Sequence, residues 1–146
     1  MLCGPWRRNR IWQRKIRWLS VREVYAFHDL ALSEHGGMPG LRDAGLLESA
    51  VLRPKTAYEY GAIGSADLAA KLAFGLVSNH AFLDGNKRTA LIASLTFLHL
   101  NGTEFTASES EIAALLIDTA NHELSENELI DWFKQRTKPR PGKLLC

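Results

Sequence analysis

The segment from Lys87 to Leu100 constrains the fold more than any other, because it is apolar on nearly every side when drawn as a helix. A helix of this kind is stable in water only when neighbouring elements cover it all round. It is too short to span a bilayer, which takes about 18 or more apolar residues. We therefore predict an all-α domain packed around a buried central helix, without membrane contact.

Three further helices are marked at their N-termini by the capping-box pattern, in which a serine and a glutamate three residues later satisfy each other's backbone N–H groups. The pairs are Ser20/Glu23, Ser108/Glu111 and Ser125/Glu128. They predict helices over about 20–34, 109–121 and 126–135.

Two more helices are predicted from composition and from helix breakers. Small and apolar residues predict a helix over about 66–79 that ends at His80. Residues 41–52 are predicted as a short helix that is entered at Asp43. This helix is expected to end before Pro54, because the residue that precedes a proline disfavours the helical conformation.

Two stretches are predicted to be non-helical. Residues 55–64 contain aromatic residues and glycine without clear periodicity, which predicts a loop that could serve as a flap. Glu104 and Phe105, which follow the helix stop at Asn101-Gly102, are predicted to form a short extended stretch.

Charge divides the chain of 146 residues into three parts. No acidic residue lies before Trp18 or after Phe133, so both ends are basic. We predict a basic N-terminal extension over 1–17, one domain over 18–136 and a basic C-terminal tail over 137–146. Both ends are interpreted as solvated tails. These tails could contact nucleic acid, an acidic partner or the domain itself, and their charge alone does not distinguish these three possibilities. We do not favour nucleic-acid binding.

Cysteine usage and the N-terminal sequence indicate a reducing compartment. Cys3 and Cys146 lie at opposite ends, which indicates neither a disulfide framework nor a thiolate metal site. Arg7-Arg8 is not followed by the apolar segment of an export signal. We therefore expect a cytoplasmic protein.

The candidate active site lies in the turn between the helix that ends at His80 and the buried helix. A helix N-terminus presents unpaired N–H groups and a partial positive charge, which suits a phosphate group. Lys87 and Arg88 add positive charge there, and Gly85 lets the backbone approach a ligand closely. Asn86 can donate an amide hydrogen to a phosphate oxygen.

Two other side chains in this turn suit group transfer. Asp84 would serve as a Mg²⁺ ligand, because this ion prefers one or two carboxylates together with phosphate oxygens. His80 could take a proton from a hydroxyl nucleophile at neutral pH. Taken singly, such residues are more often helix caps or solvated charges. Together they predict transfer from a nucleotide to a hydroxyl.

The other histidines show no metal-ligand spacing and are interpreted as packing or surface residues. They are His28, His35, His99 and His122. A structural zinc site is therefore not predicted.

The turn from His80 to Arg88 reads H-A-F-L-D-G-N-K-R and resembles the signature of the Fic/Doc superfamily, H-x-F-x-[DE]-G-N-[GK]-R, at every specified position. The similarity extends to Gly36-Gly37, to residues 40–50 and to Asn101-Gly102, and so covers about 18–136. Within the superfamily the chain is most similar to the death-on-curing (Doc) toxins of type II toxin–antitoxin systems.

The resemblance implies an all-α Fic fold, a helical bundle around the central helix with a short flap or hairpin. It implies that His80 is the catalytic base, that Asp84 binds Mg²⁺ and that Lys87 and Arg88 also take part in catalysis. The implied ATP-binding residues are Phe82, Gly85, Asn86, Lys87 and Arg88.

Two positions depart from the pattern of AMP-transferring Fic enzymes. Lys87 stands where those enzymes usually have glycine, and Leu91 stands where they often have a second arginine. The long lysine side chain should fill space used by the inner phosphates of the nucleotide, and the missing arginine removes one of their counter-charges. AMP transfer is therefore disfavoured but remains an alternative, as does an inactive binding module.

Doc toxins share the lysine at this position and are understood to transfer the terminal phosphate of ATP to elongation factor Tu. The resemblance therefore implies the same activity for this chain. We adopt that activity, on a Ser or Thr hydroxyl, as the leading hypothesis. A small Phd-type antitoxin is the implied partner. Arg42 and Asp43 match a Doc-family pattern near the site, but Asp43 could simply cap a helix and Arg42 could pair with a surface acid.

Overall fold

The computed structural model describes residues 16–61 and 64–141. Within these ranges it contains six helices and two short strands. The helices are α1 (Val21–His35), α2 (Ala44–Glu59), α3 (Ser65–Asn79), α4 (Asn86–Leu100), α5 (Glu109–Ala120) and α6 (Glu126–Gln135). The strands are β1 (Thr103–Phe105) and β2 (Thr137–Pro139). The predicted all-α class is confirmed.

Several sequence predictions fall outside the described residues. They concern the basic extension up to Lys15, the Arg7-Arg8 pair within it, both cysteines and the tail from Gly142 onward. In the part of the chain that is described, no helix is long and apolar enough to cross a membrane.

All three capping boxes predicted from the sequence are confirmed. Ser20 accepts a hydrogen bond from the backbone N–H of Glu23 at 3.1 Å, and the Glu23 carboxylate accepts one from the N–H of Ser20 at 2.8 Å. The boxes at α5 and α6 have the same two bonds. Because each box satisfies two otherwise unpaired donors, these three helix starts are fixed by local sequence.

Helix α4 is the buried central helix that the sequence predicts. It packs against α1, α3 and α5, and even its polar residues Thr89 and Ser94 are fully buried. The hydroxyl of Thr89 donates to the carbonyl of Gly85 at 2.7 Å, and that of Ser94 donates to the carbonyl of Leu91 at 3.1 Å. Most of the helix is therefore covered by its neighbours, and both buried hydroxyl groups are satisfied.

The prediction that a helix ends before Pro54 is wrong. Helix α2 continues to Glu59 with Pro54 inside it, so the first five residues of the loop predicted over 55–64 are helical. The reason is burial. Leu47, Ala50, Val51 and Pro54 form one buried stripe of α2, and this apolar face offsets the roughly 3 kcal/mol that an interior proline costs.

Strand β1 confirms the extended stretch predicted at Glu104 and Phe105. It pairs antiparallel with β2, with Glu104 opposite Lys138. Strand β2 is made from the first residues of the predicted basic tail, and Arg140 just after it donates to the carbonyl of His99 at 2.9 Å. These residues are thus attached to the domain.

One carboxylate ties the C-terminal helix α6 to α2 and α3. Glu126 accepts hydrogen bonds from Arg53 at 2.9 and 3.0 Å and from Lys71 at 3.4 Å. Burial alone would raise the pKa of Glu126, but the hydrogen bonds and charge of Arg53, followed by those of Lys71, hold it below its ordinary value of 4.5. The ionised carboxylate therefore stabilises the fold.

We predict that Glu126→Gln lowers the free energy of unfolding by about 1 kcal/mol at neutral pH. Because the folded pKa is depressed, this contribution is present above pH 4.5 and is lost as pH falls through the folded pKa. Urea unfolding of both proteins at pH 7 and at pH 3 should show the difference shrinking in acid. The exposed Glu48→Gln serves as control. An equal difference at both pH values would contradict the prediction.

Candidate functional site

The candidate site is built on a sharp turn between α3 and α4. His80 ends α3 in the left-handed conformation, with φ 53° and ψ 50°. Gly85 precedes α4 with φ 79°, a value that glycine adopts without strain. A non-glycine residue at positive φ is uncommon and costs on the order of 1 kcal/mol, so surrounding contacts must hold His80 in place.

Asn86 closes the turn. Its side-chain oxygen accepts a hydrogen bond from the N–H of Phe82 at 3.0 Å, and its side-chain nitrogen donates to the carbonyl of Phe82 at 2.9 Å. The buried carboxamide thus bonds to both backbone groups of Phe82, as the backbone of a neighbouring β-strand would. One amide hydrogen remains for the phosphate contact that the sequence predicts.

The N-terminus of α4 has no side-chain cap. Gly85 occupies the capping position, and no side chain of the described residues accepts the first N–H groups of the helix. Lys87 and Arg88 lie in this first turn with exposed side chains. The turn therefore concentrates positive charge and free donors at one point, which suits an anion.

The Asp84 carboxylate is held by two backbone donors. One oxygen accepts from the N–H of Met38 at 3.1 Å, and the other accepts from the N–H of Gly85 at 2.9 Å. These bonds, followed in importance by the charge of Lys87, lower the pKa of Asp84, so the group is ionised at neutral pH. Each oxygen keeps a lone pair for a further ligand.

The segment between α1 and α2 runs beside the turn. The N–H of Leu83 donates to the carbonyl of Gly40 at 3.0 Å, and the N–H of Arg42 donates to the carbonyl of Ala81 at 2.7 Å. A Cβ atom added to Gly37, where φ is 125°, would lie 3.0 Å from an Asp84 oxygen. Glycine is therefore required where this segment passes the carboxylate.

The structure decides between the alternatives left open for Arg42 and Asp43. Arg42 donates to the carbonyl of His80 at 2.7 Å and to that of Asn79 at 2.9 Å. It therefore does not pair with a surface acid but satisfies the last carbonyls of α3 and holds the backbone of His80. Asp43 caps α2 by accepting from the N–H of Leu46 at 3.0 Å.

A pocket of about 250 Å³ opens beside the turn. Its polar wall unites five of the residues predicted from the sequence: Asp84, Gly85, Asn86, Lys87 and Arg88. Its apolar wall is formed by Ala31, Leu91, Ala113 and Ile117. One wall thus suits a charged group and the other an apolar group of the same ligand.

Two predicted site residues lie outside the lining of this pocket. His80 is exposed at the α3 end of the turn. Phe82 has its ring buried and stacked on that of His28, with 3.7 Å between the centroids and an interplanar angle of 6°. Phe82 therefore supports the turn from the core side.

Sequence reasoning missed two residues near the site. His28 was predicted to be a packing residue, and it is buried, but its Nε2 also lies 2.8 Å from the carbonyl oxygen of Asp84. His35 lines the pocket at the end of α1. Helical periodicity places His28 on the core face of α1, and no pattern in the sequence could relate it to Asp84.

Comparison with known proteins identifies the family of the chain. The family model described as "Fic/DOC family" matches residues 18–98, which is more than half of the chain. The chain therefore belongs to the Fic/DOC family.

Two curated relatives bear Doc names. "Protein kinase doc" of Escherichia phage P1 is 33% identical over 121 residues, which cover 82% of this chain and 95% of that protein. "Toxin Doc" of Mycolicibacterium smegmatis is 50% identical over 74 residues, which cover 49% of this chain and 57% of that protein. These matches confirm the resemblance to Doc toxins read from the signature.

We predict that Asn86→Ala lowers the free energy of unfolding by about 2–3 kcal/mol, because it leaves the N–H and the carbonyl of Phe82 buried without partners. Urea unfolding followed by circular dichroism measures this loss. The exposed Asn121→Ala at the end of α5 is the matched control and should cost less than about 1 kcal/mol. Equal losses in the two variants would show that the Phe82 pairing does not stabilise the turn.

Proposed function

We propose that this protein is a Doc-type toxin that transfers the terminal phosphate of ATP to a Ser or Thr hydroxyl of a translation protein, with elongation factor Tu as its substrate. The observation that carries the proposal is a single pocket lined by the ionised Asp84, the uncapped start of α4 and the cations Lys87 and Arg88. The similarity to the phage P1 protein kinase Doc supports kinase chemistry.

The proposed phosphate contacts follow from the first turn of α4. Free N–H groups at a helix N-terminus bind phosphate oxygens, and the helix dipole adds a favourable field. Lys87 and Arg88 would add charge-assisted hydrogen bonds. The apolar wall at Leu91 and Ile117 would face the less polar part of the nucleotide.

The donor set at Asp84 fits Mg²⁺ that arrives with a nucleotide. No group of three or more acidic, histidine or cysteine side chains that could hold a metal occurs in residues 16–61 and 64–141. Mg²⁺ is commonly bound by one or two carboxylates together with substrate phosphates and water. When bound, the ion would neutralise charge on the phosphates. Asp84 is proposed as its protein ligand.

His80 is proposed as the general base. Its imidazole is exposed, so a hydroxyl on another protein can reach it, and Arg42 holds its backbone. A base in this position would take the hydroxyl proton as the hydroxyl oxygen bonds to the terminal phosphorus of ATP and the bond from that phosphorus to the ADP leaving group breaks. Such assistance contributes roughly 10²- to 10⁴-fold to the rate.

The surroundings of Lys87 and Leu91 favour transfer of phosphate over transfer of AMP. Lys87 lines the pocket next to the uncapped helix start, and Leu91 presents an apolar surface to the same pocket. Leu91 provides no positive charge to an inner phosphate bound beside it. The terminal phosphate is therefore the better candidate for transfer.

A Phd-type antitoxin is the proposed partner. A groove of about 250 Å³ adjoins the pocket and is lined by residues of α1, α4 and α5, with Arg88 at its edge. Leu30 in this groove is 46% exposed, and Ile117 in the pocket beside it is 47% exposed. An amphipathic segment of the antitoxin would bury these side chains and cover Arg88.

Intact-mass analysis of elongation factor Tu, incubated with this protein, ATP and Mg²⁺, tests the proposed activity. We predict an added mass of one phosphate with the wild-type protein and none with His80→Ala. His99→Ala, which changes an exposed histidine of α4 far along the helix, is the control and should stay active. An added AMP would support the alternative transfer, and no added mass would contradict the proposed substrate.

We further predict that Asp84→Asn lowers the affinity for ATP about tenfold or more when Mg²⁺ is present and much less in its absence. The cause is the loss of the anionic ligand, because asparagine keeps an acceptor oxygen but no charge. Isothermal titration calorimetry with and without Mg²⁺ measures both affinities. Asp29→Asn, at an exposed position of α1, is the matched control. An Asp84→Asn effect of the same size in both conditions would argue against Asp84 as the metal ligand.

A further inference from the structure

His28 occupies a core position that an apolar residue would fill at lower cost. The side chain is 2% exposed, and its Nδ1 atom has no hydrogen-bond partner among the described residues. Burying an unpaired polar atom is unfavourable. The imidazole must therefore provide something that a leucine or phenylalanine would not.

What it provides is a hydrogen bond to the turn. The Nε2 atom of His28 lies 2.8 Å from the carbonyl oxygen of Asp84. Because a carbonyl oxygen can only accept, Nε2 must carry the hydrogen and donate it.

This bond acts on the same peptide unit that holds the carboxylate. The carbonyl of Asp84 and the N–H of Gly85 belong to one planar peptide. His28 bonds that peptide at its oxygen, and the N–H on its other side donates to the Asp84 carboxylate at 2.9 Å. Fixing the carbonyl therefore fixes the direction of the N–H that orients the carboxylate.

The ring of His28 also supports the turn by direct contact. It stacks on Phe82, and a Cβ atom added to Gly85 would lie 3.5 Å from its Cδ2 atom. Tyr25 meets the rings of both His28 and Phe82 edge-on. One side chain of α1 thus contacts Phe82 and Asp84, and it lies where a side chain at position 85 would meet it.

We propose that His28 is a positioning residue for the phosphate and metal site, acting through the peptide that joins Asp84 to Gly85. The inference rests on the proposed function for its consequence in catalysis. His28 bonds to the backbone carbonyl of Asp84 and not to its carboxylate. Its effect on the site would therefore come from the orientation that it gives to the Asp84 carboxylate and to the start of α4.

Two substitutions separate positioning from packing. His28→Gln keeps an N–H donor at about the position of Nε2, whereas His28→Phe keeps an aromatic ring that can stack on Phe82 but donates no hydrogen bond. If His28→Phe does not fold, His28→Leu takes its place as the variant without a donor. Urea unfolding of each variant shows whether it is folded before the site is examined.

The first measurement does not depend on catalysis. Hydrogen exchange at the Gly85 amide, followed by NMR, reports whether the bond to the Asp84 carboxylate is kept. Titration with Mg²⁺ and a non-hydrolysable ATP analogue gives the affinity. We expect His28→Phe to speed this exchange and to weaken Mg²⁺-dependent binding about 10- to 100-fold, and His28→Gln to restore both to within about threefold of wild type.

The second measurement is phosphate transfer to elongation factor Tu. The expected result for His28→Phe is a raised KM for Mg²⁺·ATP and a lowered kcat, with the KM for the protein substrate unchanged. Wild-type protein that transfers no phosphate while His28→Phe still disturbs Gly85 exchange would reject the proposed function and keep the positioning role. Exchange and affinity that are equal in His28→Phe, His28→Gln and wild type would overturn the positioning role.

Discussion

The burial of α4 against three neighbouring helices is the constraint on which the rest of the structure depends. Packed against α1, α3 and α5, this helix has exposed residues only at its two ends, while Ile92, Leu95 and Thr96 between them are partly buried. Gly85 leaves the N-terminal end uncapped, and Lys87 and Arg88 extend from it. The candidate site is at this end because the first turn of the helix is accessible, charged and without a side-chain cap.

Hydrogen bonds between side chains and backbone groups, more than contacts between two side chains, give the turn its shape. Asn86 pairs with Phe82, Arg42 satisfies the carbonyl of His80, and the Asp84 carboxylate accepts from the N–H of Met38. The partners of these polar side chains are backbone N–H and C=O groups, which remain when a neighbouring side chain is mutated. The segment between α1 and α2 takes part in this framework through its own backbone hydrogen bonds to the turn.

Local signals in the sequence predicted much of the fold and most of the site. Capping boxes located three helix starts, and the polar turn before an apolar helix located the pocket. The failures are tertiary in origin. The continuation of α2 through Pro54 depends on a buried face, and the bond from His28 to Asp84 joins residues 56 positions apart, which no periodicity records.

The charge balance of the pocket favours a ligand that brings its own metal. Lys87 and Arg88 stand against Asp84 alone, so the polar wall keeps a net positive charge while the carboxylate retains free lone pairs. A bare phosphate would satisfy the cations but would be repelled by Asp84. The proposed phosphate chain carrying Mg²⁺ would satisfy both, because the helix start and the two cations would hold its oxygens and Asp84 would hold the ion. One acid beside two bases is therefore the arrangement expected where a metal-bound nucleotide is held by its phosphates.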